Sequence, residues 1–274
     1  MSHTSIFDRF KLDQRVAIVT GGAGLLGKEF CRTLAEAGAG VVVADLDETA
    51  AQRVAESLQD EGWQAVSVKV DVTAPDSVRA MVAQTLSIYN RLDILVNSAA
   101  LDPKFDPQHG GHSNTFEDYP IELWNQALAV NLTGVFLCCQ AVIPSMLRQG
   151  KGVIINLASI YALTAPDQRL YQHSGQPPQY KPAYYPVTKA GVLGLTAYLA
   201  AYYGRQNIRV NALTPGGVYN QHDDEFVHSY SARTMLGRMA HKDDLNGALL
   251  FLASDASQYM TGANLIVDGG WSAW

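Results

Sequence analysis

Short apolar runs without polar alternation recur along this chain, separated by stretches whose apolar positions fall at helical spacing. The runs predict strands at Val16–Val19, Val41–Ala44, Ala65–Val70, Asp93–Val96, Val153–Leu157, Ile208–Leu213 and Asn264–Val267. Between them, Leu26, Phe30 and Leu34 mark one face of a helix through Lys28–Ala37, stopped by Gly38. Further helices are predicted at Glu48–Leu58, Asp76–Ser87, within Ile121–Arg148, at Pro186–Tyr203 and at Lys242–Leu252. Uniformly apolar strands alternating with amphipathic helices imply a parallel sheet covered on both faces. The expected fold class is therefore α/β, a doubly wound parallel sheet of about seven strands. No linker, repeat or low-complexity tract divides it, so residues 1–274 are expected to form one domain, with 1–13 as an N-terminal arm.

Composition narrows the partners. With 20 basic against 26 acidic side chains and a net charge of −6, the chain lacks the clustered cations that nucleic acid or an anionic membrane surface requires. A small-molecule substrate is the expectation. The three cysteines, Cys31, Cys138 and Cys139, lie in apolar helical segments without metal-ligand spacing, so neither a metal site nor a disulfide framework is expected. Met1–Gln14 carries no signal-like apolar run, which points to a cytoplasmic protein.

Chemistry enters at the first strand. Thr20-Gly21-Gly22-Ala23-Gly24-Leu25-Leu26-Gly27 joins it to the first helix, and glycines there let a pyrophosphate approach the backbone beside unpaired helix N–H groups. Asp45 ends the second strand about 20 residues later, where a carboxylate binds adenosine ribose hydroxyls and repels a 2′-phosphate, favouring NAD over NADP. The position of Asp45 also allows the lesser reading, a cap on the helix at Glu48. Ligands of doubly wound sheets lie beyond the carboxyl ends of the strands. Asp71, Asn97-Ser98-Ala99-Ala100, Ser159 and Pro215-Gly216-Gly217-Val218 follow the third to sixth strands. Each also has an ordinary structural reading as a turn, as Asp71 with Thr73, or as a tie between loops, as Asn97.

Tyr185 and Lys189 stand four residues apart, on one face of a helix expected to begin at Pro186. A cation there favours the phenolate, making Tyr185 a usable acid/base, and can also donate to the nicotinamide ribose. With 13 tyrosines in the chain the spacing alone is weakly specific, but Ser159 precedes the same helix and can share a substrate oxygen with Tyr185. Asn131, in Leu128-Ala129-Val130-Asn131-Leu132, is either solvent-facing or a relay that holds water behind Lys189.

From about Lys11 onward these motifs, in this order, resemble the short-chain dehydrogenase/reductase family. The resemblance implies a Rossmann-type fold, NAD as cofactor, and Asn131, Ser159, Tyr185 and Lys189 as the catalytic tetrad. It implies cofactor contacts from Gly21, Gly24, Leu25, Leu26, Gly27, Asp45, Leu46, Asp71, Val72, Asn97, Ala99, Tyr185, Lys189, Pro215, Gly216, Val218 and Asn220. It further implies a homo-oligomer, tetramer or dimer, paired through long helices and the C-terminal strand.

Three departures from the family pattern stand out. Leu25 occupies a glycine position, giving the spacing of the nucleotide-sugar branch, and Asn220 replaces a common threonine. The gap between Ser159 and Tyr185 is about twice the usual length, and residues 160–184 are read as an insertion at the active site. It brings Asp167, Gln168, Arg169, Gln172, His173, Gln176, Gln179 and Lys181. Tyr161, Arg169 and His173, with Ser159 and Tyr185, are the expected substrate contacts. Residues 218–240 are the expected lid, its apolar face supplied by Phe226, Tyr230 and Met235. The activity implied is hydride transfer between nicotinamide and a secondary alcohol or ketone of a sugar, sugar acid or other polyhydroxylated substrate. An epimerase or dehydratase that retains NAD, and a non-catalytic NAD sensor, remain as alternatives.

Overall fold

The computed structural model describes residues 5–102, 115–172 and 179–274. Its strands are β1 (Val16–Thr20), β2 (Gly40–Asp45), β3 (Ala65–Lys69), β4 (Ile94–Asn97), β5 (Gly152–Leu157), β6 (Ile208–Pro215) and β7 (Asn264–Val267). They form one parallel sheet in the order β3-β2-β1-β4-β5-β6-β7. The helices are α1 (Leu25–Glu36), α2 (Glu48–Asp60), α3 (Pro75–Tyr89), α4 (Ile121–Leu128), α5 (Gly134–Gln149), α6 (Tyr184–Tyr203), α7 (Asp224–Ser231) and α8 (Asn246–Ala253).

Strands β1, β2, β4, β5 and β6 are buried on both faces, as continuous apolar strands require, while the edge strands β3 and β7 are partly exposed. On one side Val42, Leu95, Ile154 and Val210 pack with α3, α5 and α6; on the other Val41, Ile94, Val153 and Leu213 pack with α1, α2 and α8. Strand order reverses beside β1, which pairs with β2 on one edge and β4 on the other. Loops leaving β1 and β4 diverge there, opening the crevice that doubly wound folds use for ligands.

Several boundaries differ from expectation for identifiable reasons. The helix bearing Tyr185 starts at Tyr184, not Pro186. Proline is tolerated in that first turn because its missing N–H has no intrahelical partner there. The last predicted helix starts at Asn246 rather than Lys242, since the Asp244 carboxylate takes the His241 N–H and the Arg238 guanidinium and holds the preceding residues in a turn. The long helix is interrupted by a π turn at Ala129–Thr133, centred on Asn131. Ile121–Gln149 is long and apolar enough to cross a membrane. Val135, Cys138, Val142 and Met146 nevertheless face the sheet, so it is a core helix. Cys31, Cys138 and Cys139 are buried, and burial raises all three thiols, that of Cys138 to about 12.

Candidate active site

The glycine loop is shaped by contacts that leave no room for side chains. Gly21 has φ +66°, and a Cβ there would sit 2.8 Å from the Ala99 backbone. A Cβ on Gly27 would strike the carbonyl oxygen of Gly21. Helix α1 follows Gly24 without a side-chain cap, leaving its N-terminal turn suited to an anion. Leu25, in the departed glycine position, is 38% exposed. Asp45 accepts from Ala23 N–H at 2.9 Å and from Asp47 N–H at 3.1 Å, so its carboxylate faces the glycine turn. Capping of α2 falls to Asp47, which accepts from Ala50 N–H; the capping alternative for Asp45 is thereby corrected. Leu46, beside it, is exposed.

The other strand ends meet this crevice. Asp71 makes the turn expected of it, accepting from the Thr73 N–H and hydroxyl, while buried Val72 packs against Gly134. Asn97 donates to Asn156 Oδ1 at 2.8 Å, and its own Oδ1 is buried without a partner. The Ala99 and Ser98 N–H groups face the Thr20 hydroxyl. Beyond Pro215, Gly216 packs on Asp268, Gly217 N–H donates to the Tyr230 hydroxyl, and Val218 bridges to Ala240. Asn220 is exposed, its N–H donating to His222 Nδ1. A cradle that Cβ atoms would fill, an uncapped helix start and a carboxylate closing the β2 side fit a dinucleotide.

Three of the four tetrad candidates converge directly. The Ser159 hydroxyl accepts from Tyr161 N–H and lies near Tyr185, where it favours the phenolate. Lys189 places its ammonium 5.9 Å from the Tyr185 ring centroid and donates to the Leu157 carbonyl at 2.8 Å. Burial raises the Tyr185 phenol and lowers the Lys189 ammonium to about 8. Asn131 is 1% exposed, which corrects the solvent-facing alternative. Its side chain clamps Leu101, accepting from the N–H at 2.7 Å and donating to the carbonyl at 2.9 Å, and so joins the π turn to the segment after β4.

Residues of the expected insertion and of the expected lid pack on each other beside this cluster. Gln168–Tyr171 forms a 3₁₀ turn that buries Leu170 and Tyr171 against Ile160, Tyr161, Phe226, Tyr230 and Met239. The Tyr161 and Tyr171 hydroxyls are 2.8 Å apart, and the Tyr161 ring stands edge-on to Tyr185 at 6.4 Å. Trp271 stacks on Tyr230 at 4.3 Å, and Trp274 Nε1 donates to the Arg233 carbonyl, so the C-terminal residues back the lid. Phe226 and Tyr230 supply the lid's apolar face; Met235 is 50% exposed and does not. Asp167 receives Arg233 across the gap at 2.6 Å. Arg169 forks onto the same carboxylate with its side chain 80% exposed, and so does not join the group around Tyr185 as expected. His173 lies outside the described residues.

Two residues unassigned by sequence reasoning belong to the site. Lys181 is 8% exposed, with its ammonium 4.2 Å from the Tyr185 ring centroid and paired to Asp102. The Gln168 amide holds the Lys181 backbone, its Oε1 accepting from the N–H at 2.8 Å and its Nε2 donating to the carbonyl. Lys181 appeared among the polar insertion residues, but nothing in one-dimensional spacing brings it to Asp102. Lys181 and Gln168 also line a cavity of about 740 Å³ with Phe116, Tyr119, Trp124 and Pro166.

The chain matches a family model described as enoyl-(acyl carrier protein) reductase over residues 22–272. It is 38% identical to the short chain dehydrogenase/reductase astE of Aspergillus oryzae, covering 96% of this chain and 97% of that one. It is 33% identical to the D-threitol dehydrogenase of Mycolicibacterium smegmatis, covering 96% and 95%. Among solved structures, a gluconate 5-dehydrogenase from Burkholderia cenocepacia, in complex with NADP and tartrate, is 33% identical, with a TM-score of 0.85 over 98% of this chain and 100% of that one.

Proposed function

The chain belongs to the short-chain dehydrogenase/reductase family, oxidoreductases that take a nicotinamide cofactor, and we propose that it is an NAD-dependent dehydrogenase of secondary alcohols on polyhydroxylated or sugar-acid substrates. The observation that carries this reading is the partly buried Tyr185 ring with the Lys189 ammonium 5.9 Å from its centroid and Ser159 beside it. A binding module has no use for a phenol held beside a buried ammonium. Relatives named for a tetritol and for gluconate support the substrate class.

In the oxidation direction Tyr185, as phenolate, takes the hydroxyl proton of the substrate. Ser159 donates to the same oxygen and fixes its position. Lys189 favours the phenolate and offers donors to the nicotinamide ribose. Bound NAD+ supplies the hydride acceptor. Gly21, Gly24, Leu25, Leu26 and Gly27 would hold the pyrophosphate; Asp71, Val72, Asn97 and Ala99 would serve the adenosine side; Pro215, Gly216, Val218 and Asn220 would serve the nicotinamide half. Asp45 and Leu46 receive the adenosine ribose, and the carboxylate with an uncharged neighbour supports NAD, since a 2′-phosphate would meet like charge. Asn131 acts through Leu101 and the π turn, holding the helix that backs Lys189. Tyr161 walls the substrate against Tyr185, and the active oligomer forms through the exposed Phe136, Leu147, Tyr198 and Tyr202 of α5 and α6.

The test is NADH formation with NAD and NADP in parallel on polyols, sugars and sugar acids, with Tyr185→Phe as control. We expect NAD-linked turnover that falls about 10²–10⁴-fold in Tyr185→Phe. Turnover surviving that substitution overturns the mechanism. Stoichiometric NAD retained through purification, without net reduction, would favour the epimerase instead.

A further inference from the structure

The family's lysine is not the ammonium nearest the centre of the Tyr185 ring. Lys181 lies 4.2 Å from the ring centroid and Lys189 5.9 Å. Lys181 comes from the insertion, and three constraints fix it: the Gln168 amide on its backbone, Asp102 on its ammonium, and burial of all but 8% of its surface. A flexible lysine held this firmly against an aromatic face has lost the conformational freedom that such side chains keep at a surface.

We propose that Lys181 is a positioning residue for proton transfer, a second cation held on the Tyr185 ring by Asp102 that stabilises the phenolate. This rests on the reading of Tyr185 as the acid/base. Among the described residues, the groups around the phenol come from several elements. Lys189 and Tyr184 share its helix, Ser159 and Tyr161 come from the segment after β5, and Tyr171 comes from the insertion. Asp102 comes from the segment after β4, and its carboxylate opposes ionisation of Tyr185. His222, from the lid, feels both Asp102 and Lys181. Without the Lys181 ammonium, the phenolate loses an adjacent cation and meets an uncompensated carboxylate. Both changes act in one direction, toward a higher pH for ionisation. The ion pair thus offsets part of the opposition that the Asp102 charge presents to ionisation.

The experiment is the pH dependence of kcat with NAD for the wild type, Lys181→Gln, Lys181→Met, Lys181→Arg and Tyr185→Phe, each checked by thermal melting and NAD affinity. The methionine keeps the apolar stem should the glutamine fold poorly, and arginine restores a ring-facing cation. We expect the acidic limb of either neutral variant to move alkaline by about one pH unit, with substrate KM changed less than about twofold and with arginine restoring the limb. A limb that stays in place overturns the proposal. So does a rise in KM alone, which would make the pair a substrate subsite, or an arginine no better than glutamine, which would mean packing. Turnover in Tyr185→Phe would instead defeat the underlying reading of the tyrosine. The Tyr185 Cζ resonance of [13C]tyrosine-labelled protein with NAD+ bound, assigned by its loss in Tyr185→Phe, reads the same alkaline displacement without turnover.

Discussion

The two halves of the crevice are built from different materials. On the β1–β4 side the surface is backbone: glycines too close to their neighbours for a Cβ, a helix start without a side-chain cap, and one carboxylate at the end of β2. On the β5–β7 side it is side chain. Tyr161 meets Tyr171, Asp167 meets Arg233, Lys181 meets Asp102 and Trp271 meets Tyr230, each pair joining segments that the sheet does not register. A backbone cradle is specified by short contiguous motifs and tolerates almost no substitution. A surface of long-range side-chain pairs spreads its specification over many positions and can be lost piece by piece.

The comparison breaks most severely at Gly27. An alanine methyl there would occupy the place of the Gly21 carbonyl oxygen, so β1, the turn and α1 cannot keep their spacing. We expect Gly27→Ala to cost about 1–3 kcal/mol of stability and to weaken NAD binding at least about tenfold. Thermal denaturation and a fluorescence titration with NADH measure the two. An unimpaired Gly27→Ala would mean that the loop is as tolerant as the opposite wall, and the contrast would fail.

A smaller effect, on preference rather than on binding itself, is expected at Asp45. Its carboxylate already accepts Ala23 and Asp47 N–H groups, and the exposed neighbour Leu46 offers a 2′-phosphate no counter-charge. Asp45→Asn should raise the ratio of kcat/KM for NADP to that for NAD by about 10–100-fold, because close like charges cost several kcal/mol. Should the wild type already prefer NADP, as the complex of the Burkholderia relative makes worth checking, the ribose role of Asp45 is wrong.

These two positions were legible in the sequence because a strand, a glycine turn, a helix and a second strand with a terminal acid all lie within Val16–Asp45. The inner strands were legible for the same reason, since burial on both faces writes itself as uninterrupted apolar runs. Asn131 was half legible: an amide in an apolar helix signals something, but its clamp on Leu101 depends on a π turn that has no one-dimensional signature. Lys181 and Asp102 stand 79 residues apart and meet only in the folded chain. Arg169 was chosen for its charge, and charge alone does not distinguish a substrate contact from a guanidinium folded back two residues onto Asp167.

That distinction supplies the finest test of the comparison, because Asp167 binds two arginines of opposite kind. Arg233 comes from the lid, 66 residues away, and is about two-thirds buried; Arg169 is 80% exposed and local. A pair between residues two apart can form in the unfolded chain as well, so it adds little to folding, whereas the Arg233 pair exists only when lid and insertion are docked. Arg233→Ala should therefore cost about 1 kcal/mol and raise substrate KM with NAD affinity unchanged, while Arg169→Ala should leave melting temperature and KM within error. The Arg169 and Arg233 guanidiniums hold the Asp167 carboxyl well below the usual carboxylate range. A carboxyl depressed in the folded state contributes stability above its unfolded value of about 4, and loses that contribution as pH falls through the folded one. The melting difference between wild type and Asp167→Asn should thus hold steady from neutral pH to about pH 4 and close only below it. Equal losses from Arg169→Ala and Arg233→Ala would show that the carboxylate, and not the tie between insertion and lid, is what this wall depends on.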